Sequence, residues 1–255
     1  MPLLGLIGYP LGHSFSPSYF KNKFELLGLK DWDYRLFPIP SLIHLPELIE
    51  QHTDLLAFNI TIPYKTSILP FCASFSEAVE VIGAANLILI ERTNNDTRLH
   101  AYNTDVIGFR KSLEQIIDNT EKQAVVFGTG GAAKAAVFVL NELRIPHIVI
   151  GRQTEVNYQN IDLIHYNLMI NCTPVGMYSD SAIKSNDLLP LNYDNVQTGS
   201  IYFDMVYNPA ETKMMNLMKS KGAIVKNGLD MLHYQADAAW EIIQNNLLNY
   251  MDHTM

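Results

Sequence analysis

Gln123-Ala124-Val125-Val126-Phe127-Gly128-Thr129-Gly130-Gly131-Ala132-Ala133 sets a short apolar run directly against a glycine-rich turn. The run reads as a buried parallel strand, because strands covered on both faces are continuously apolar rather than alternating. Gly128 to Ala133 fits G-x-G-x-x-A, and the alanine-rich segment from Ala132 to Leu143 continues as a helix. A second strand, Ile145 to Ile150, completes a βαβ unit. In such a unit glycine lets the backbone approach a pyrophosphate, and the helix N-terminus presents N–H groups that have no intrahelical partner. Gly128, Gly130, Gly131 and Ala132 are therefore candidate dinucleotide contacts. A tight strand-to-helix turn without a ligand would have the same spacing.

The end of the second strand reads the cofactor, because NAD enzymes place a carboxylate there and NADP enzymes an arginine near the 2′-phosphate. Here the residues are Gly151-Arg152-Gln153. Arg152 offers a planar fork of donors to a phosphate, which favours NADP. Glu155 lies close by and no second basic residue accompanies Arg152, so an exposed loop arginine is the competing reading.

The first half repeats the alternation without a glycine-rich phosphate turn. Strands are expected at Leu3–Ile7, Asp33–Phe37 and Ala57–Ile62, with helices from about Pro17, over Leu42–Glu50 and over Val106–Ile117. This half is the expected seat of the substrate, with the active cleft between the two halves. Three loops concentrate polar groups there. In His13-Ser14-Phe15-Ser16-Pro17, Ser16 suits a helix N-cap and Pro17 the first turn, while two hydroxyls beside a helix N-terminus also suit a carboxylate. In Asn59-Ile60-Thr61-Ile62-Pro63-Tyr64-Lys65, alternation puts Asn59 and Thr61 on one face and leaves Lys65 just past the strand, as either a solvated or a catalytic lysine. In Asn103-Thr104-Asp105, Thr104 or Asp105 serves as an N-cap.

A chain of 255 residues suggests two modest domains, each able to bury a core. With 48% hydrophobic and 17% charged residues it reads as globular, without a repeat or low-complexity tract. No leader pattern is visible and no apolar stretch approaches the roughly 20 residues of a membrane span, so a cytoplasmic protein with no membrane partner is expected. A net charge of -8 with only 18 Lys and Arg argues against nucleic acid. Cys72 and Cys172 lack metal or redox spacing and are expected as buried free thiols, with no metal site.

Taken together, these loops resemble a known family. Gly8-Tyr9-Pro10 with His13 to Pro17, Asn59 to Lys65, Gly83-Ala84-Ala85-Asn86 and Asn103-Thr104-Asp105-Val106-Ile107-Gly108 are similar, in order, to motifs of the shikimate dehydrogenases. So are Gly128 to Lys134, Asn171 to Met177, Asp204-Met205-Val206-Tyr207-Asn208-Pro209, and Asn227-Gly228-Leu229 through Gln235-Ala236. The resemblance spans nearly the whole chain. It departs from the family at Ala101, where glycine is usual, at Leu87, where threonine is common, and at Gly151-Arg152-Gln153 in place of Asn-Arg-Thr.

The resemblance implies a two-domain α/β fold, with an N-terminal substrate domain (1–105, completed by 229–255) and a doubly wound, Rossmann-like NADP domain (106–228). It implies NADPH-dependent reduction of 3-dehydroshikimate to shikimate, on the route to chorismate and the aromatic amino acids. Ser14 and Ser16 would hold the substrate carboxylate, and Asn59, Thr61, Asn86, Tyr207 and Gln235 would orient the ring hydroxyls. Thr173, Met205 and Gly228 join the glycine turn and Arg152 in binding the cofactor, and the protein would act as a monomer or homodimer. Reducing a ketone creates an alkoxide that must receive a proton, for which Lys65 and Asp105 are both candidate donors; the expected arrangement has Lys65 as acid/base or electrostatic stabiliser and Asp105 positioning it, with the residue that moves the proton left open. A quinate/shikimate dehydrogenase using NAD or both cofactors fits the same motifs, and a non-catalytic ligand sensor fits the same fold.

Overall fold

The computed structural model describes residues 1–12, 14–93, 96–178 and 188–252. The chain is an α/β protein that forms two compact units, Met1–Thr104 with Ala236–Met255, and Asp105–Gln235.

The first unit is built on a six-stranded sheet. Its elements are β1 (Leu3–Ile7), α1 (Ser16–Leu26), β2 (Asp33–Phe37), α2 (Leu45–Gln51), β3 (Leu55–Ile60), β4 (Ser74–Phe75), α3 (Glu77–Ile82), β5 (Leu87–Arg92) and β6 (Thr97–Tyr102). The strand order is β2-β1-β3-β5-β6-β4. β1 pairs parallel with β2 and β3, whereas β5 runs antiparallel to both β3 and β6. The expected helix over Leu42–Glu50 is interrupted: a 3₁₀ turn at Leu42–His44 precedes α2, whose first turn contains Pro46 and so lacks one N–H to continue the ladder. The strand expected to reach Ile62 stops at Ile60, where the chain turns as the Tyr64 N–H bonds back to the Thr61 carbonyl.

The second unit comprises α4 (Asp105–Glu114), β7 (Ala124–Phe127), α5 (Gly131–Glu142), β8 (His147–Ile150), β9 (Leu168–Asn171), β10 (Ile201–Asp204), α6 (Lys213–Ser220) and β11 (Ile224–Lys226). The boundary between the units falls inside the last helix, α7 (Leu229–Asp252). The sheet order is β11-β10-β9-β7-β8, with every pair parallel. From β7 the chain builds outward first to β8 and then, in the opposite direction, to β9. Right-handed crossovers in opposite directions lie on opposite faces, which makes the sheet doubly wound and puts its topological switch between β7 and β9. β7 is fully buried along its whole length, as its unbroken apolar run requires.

Each unit has its own core. One face of the first sheet packs Leu4, Leu6, Ala57 and Leu87 against Phe20 and Phe24 of α1 and Ala239, Trp240 and Ile243 of α7. In the second unit Val125, Phe127, Met169 and Tyr202 pack against Met214, Met215 and Met218 of α6.

Candidate active site

In the first unit the polar loops are joined by a buried hydrogen-bond chain. Ser16 is the first residue of α1 rather than its cap; Phe15 occupies the cap position in helical conformation and supplies no side-chain bond. The Ser16 hydroxyl lies near the Tyr34 phenol and acts on its titration. Burial raises that phenol's pKa far above its ordinary value, and the Ser16 hydroxyl opposes the rise. Tyr34 donates to Asn59 Oδ1 at 2.9 Å, and Asn59 Nδ2 donates to the Asn86 carbonyl at 3.3 Å. Asn86 then grips Thr104, donating Nδ2 to its Oγ1 at 3.0 Å and accepting its N–H at 2.7 Å. Asn103 donates to the Ala84 carbonyl at 2.9 Å. Asp105 is the next residue along the chain and opens α4, so it lies within the helix rather than capping it from outside.

Lys65 is tied to the same place through its backbone. Its carbonyl accepts the Ala85 N–H at 2.8 Å, one residue before Asn86. The neighbouring Tyr64 is buried and donates its hydroxyl to the Ile39 carbonyl at 2.7 Å, which fixes the loop just past β3. Thr61 packs where Gly8 has no side chain: a Cβ at Gly8 would lie 2.5 Å from Thr61 Cγ2. Ser14 is half-buried, two residues before α1, while His13 of the same motif lies outside the described residues.

The second unit brings Asp105 and Gln235 onto one close helix pair. A Cβ at Gly108 would sit 2.5 Å from the Met231 carbonyl and 2.9 Å from Gln235 Cβ, so only glycine lets α4 approach α7 this closely. Asp105 is three residues earlier on α4, about one turn. Gln235 also donates to the Leu232 carbonyl at 3.0 Å. Tyr207 is half-buried after β10, and burial raises its phenol pKa.

The proposed cofactor groups gather at the C-terminal ends of β7 to β10, the edge where doubly wound sheets bind ligands. Gly128, at φ 109°, faces Thr173: a Cβ there would lie 3.2 Å from Thr173 Cγ2 and 3.3 Å from the Cys172 carbonyl. Gly151 abuts the glycine turn, with a Cβ position 3.0 Å from Thr129 Cγ2, which puts the exposed Arg152 beside that turn. Gly228 packs on Met205, where a Cβ would meet the Met205 carbonyl at 2.2 Å. Gly130 caps α5 without a side chain, and Gly131 and Ala132 form the first turn, which holds no acidic residue.

A buried carboxylate that sequence reasoning quoted but gave no role holds these loops. Asp204 accepts from Asn171 Nδ2 at 2.9 Å, the Val206 N–H at 3.0 Å, the Thr212 hydroxyl at 2.8 Å and the Tyr202 hydroxyl at 3.1 Å. Asn171 in turn accepts the Thr173 hydroxyl at 2.7 Å. Burial raises the Asp204 pKa, and these four donors oppose the rise. The available signal was a carboxylate ending the otherwise apolar strand Ile201-Tyr202-Phe203-Asp204. Tyr34 was missed altogether. Cys72 and Cys172 are free thiols, each partly rather than fully buried, with Cys72 packed against the edge of the first unit's core. Burial pushes the Cys72 thiol up to about 11, and burial and the Asp204 charge push Cys172 further.

A relative in Caldicellulosiruptor saccharolyticus named shikimate dehydrogenase (NADP(+)) is 35% identical, over 95% of this chain and 92% of its own length. The chain belongs to the shikimate dehydrogenase family. Residues 6–88 match the family model of the shikimate dehydrogenase substrate binding domain. Shikimate dehydrogenase 1 of Peptoclostridium difficile superposes with a TM-score of 0.81 at 33% identity, covering 96% of this chain and 92% of that one. Shikimate 5-dehydrogenase of Thermus thermophilus, solved in complex with NADP(H) and shikimate, has a TM-score of 0.82 at 28% identity, covering 96% and 94%. Tyr34 lies within the region matched by the substrate binding domain model, and Asp204 ties together loops of the second unit.

Proposed function

We propose that this protein catalyses the reversible NADPH-dependent reduction of 3-dehydroshikimate to shikimate, in the cytoplasm, on the route to aromatic amino acids. The observation that carries this reading is the buried chain from Tyr34 through Asn59 and Asn86 to Thr104, because it gathers the family's substrate loops and presents Asp105 as its next residue. On this reading unit 1 is the substrate domain and unit 2 the nucleotide domain.

The second unit fits a dinucleotide. Gly130 caps α5 with no side chain, and a Cβ there would meet nothing within 4 Å, so the N-terminus of α5 is open to a pyrophosphate. Arg152, exposed beside the glycine turn, suits the 2′-phosphate, and Thr173, Met205 and Gly228 border the same edge. NADPH, when bound, supplies the hydride.

The remaining work falls to side chains of the chain itself. Ser14 and Ser16 hold the substrate carboxylate, and Asn59, Thr61, Asn86, Tyr207 and Gln235 orient the hydroxyls. As the ketone oxygen gains charge, the Lys65 ammonium stabilises it and delivers a proton, and Asp105 orients Lys65 and the substrate hydroxyl by a charge-assisted hydrogen bond. In the oxidative direction the same pair receives the proton.

A second reading, in which quinate or NAD also serves, rests on Arg152 being the sole basic side chain between residues 151 and 160. Nicotinamide absorbance followed with shikimate or quinate, each with NADP or NAD, separates the two. Turnover concentrated in the pairing of shikimate with NADP supports the proposal, and comparable rates with quinate or NAD move it to the second reading. Absence of turnover from folded protein that binds shikimate and NADP would leave a ligand sensor.

A further inference from the structure

Tyr34 sits on β2 opposite Leu4 of β1, and Asn59 sits on β3 opposite Leu6, so the two side chains meet over β1 from strands that do not pair. The phenol is almost completely buried, and its ring stacks on Phe20 of α1 at 4.7 Å with an interplanar angle of 5°. Phe20 lies four residues after Ser16, one turn along α1 and on the same face.

The polarity of this chain is fixed at its far end. The Asn86 carbonyl can only accept, so the Asn59 amide must turn its NH₂ toward it and its oxygen toward Tyr34. Asn59 Oδ1 can only accept, so the Tyr34 hydroxyl must donate. One Asn59 N–H is used by Asn86, and the other is the group offered to a substrate oxygen. Without the phenol hydroxyl the amide oxygen is buried without its donor, and the amide is held only by its bond to the Asn86 carbonyl.

We infer that Tyr34 is a positioning residue of the substrate site: its buried hydroxyl commits Asn59 to act as a donor toward a ring hydroxyl. Tyr34 touches neither reacting atom, so its contribution is equal in the ground state and the transition state. Loss of such uniform binding raises KM and leaves kcat alone. This assignment rests on the reading of the substrate given above.

The test compares wild type, Tyr34→Phe and Phe20→Leu in full-chain protein, with KM for shikimate, KM for NADP, kcat and Tm as readouts. Tyr34→Phe keeps the ring and its stack; KM for shikimate is expected to rise about tenfold, with kcat and KM for NADP within about twofold. Phe20→Leu removes the stack and keeps the hydroxyl, so Tm falls while KM for shikimate stays within about twofold. In an Asn59→Ala background Tyr34→Phe adds little further, because the two residues act as a unit. A Tyr34→Phe enzyme with unchanged KM for shikimate overturns the assignment, as does Phe20→Leu raising KM equally, which would mark packing as the cause. If wild type neither turns over nor binds shikimate, the reading of the substrate fails and takes the assignment with it. A normal wild type with an unaffected variant removes the role of Tyr34 alone.

Discussion

In the first unit the side chains of Tyr34, Asn59 and Asn86 tie strands and loops together as far as Thr104, whereas in the second unit Gly128, Gly151 and Gly228 make room by having none. The substrate side presents a row of fixed amides and hydroxyls, suited to a small molecule read by its hydroxyl pattern. The nucleotide side presents cleared backbone, suited to a pyrophosphate that must approach N–H groups. Substitutions on the substrate side should therefore act by removing a group, and those on the nucleotide side by adding one.

The largest expected effect comes from removing a group. Lys65→Ala should lower kcat by about 10²–10⁴-fold, the range for losing a positioned acid or charge, with shikimate binding retained by calorimetry. Wild-type turnover with unchanged KM would remove Lys65 from the mechanism and with it the catalytic half of the comparison.

Adding a methyl group at Gly228 comes next. A Cβ there would lie 2.2 Å from the Met205 carbonyl, and because that neighbour is backbone it cannot swing away. Gly228→Ala should destabilise the protein by about 1–3 kcal/mol, as overpacking does, and raise KM for NADP as the Met205 loop shifts. Gly130→Ala is the sharper probe. A Cβ at Gly130 meets nothing within 4 Å and its φ of -82° suits any residue, so the fold should tolerate it to within about 1 kcal/mol, the loss of a good cap. The methyl group would instead stand where a pyrophosphate approaches, and KM for NADP should rise roughly tenfold with Tm nearly unchanged. If Gly130→Ala left KM for NADP at the wild-type value, the open space at that glycine would have no part in binding.

The same contrast explains what the sequence could reveal. Gly128 to Ala133, Asn59 to Lys65 and Asn103 to Asp105 are local patterns, legible because strand, turn and helix follow one another along the chain. Tyr34 was not legible, because its role depends on β2 and β3 both pairing with β1, a register no local window contains. The β5–β6 pair was likewise unread, so the first unit was expected as an alternation of strands and helices, whereas β5 makes its sheet mixed. Ser16 before a proline fits a cap or a carboxylate contact equally well; in the fold it is the first residue of α1 and Phe15 holds the cap position, a one-residue shift that local sequence does not decide.

Asp204 gives the smallest effect and the most selective one. Exposed Asp118, Asp162 and Asp194 have lowered pKa values, from bonds with Lys122, the Ile164 N–H and Lys221 respectively. Their contributions are present above the ordinary carboxylate range and are lost as pH falls, so the whole protein should lose stability in acid. Asp204 runs the other way. Its folded pKa is raised by burial, so the folded state binds its proton more tightly than the unfolded chain. The stability it contributes is greatest below the unfolded pKa of about 4 and is lost as pH rises through the folded value. Asp204→Asn removes that titration and leaves the exposed groups in place. The Tm difference between wild type and variant should therefore shift toward wild type by roughly a few degrees between pH 7 and pH 4, while both proteins lose stability overall. Parallel Tm profiles across that range would mean that the four donors around Asp204 fully offset its burial, and that the nucleotide-side loops hang on hydrogen bonds alone.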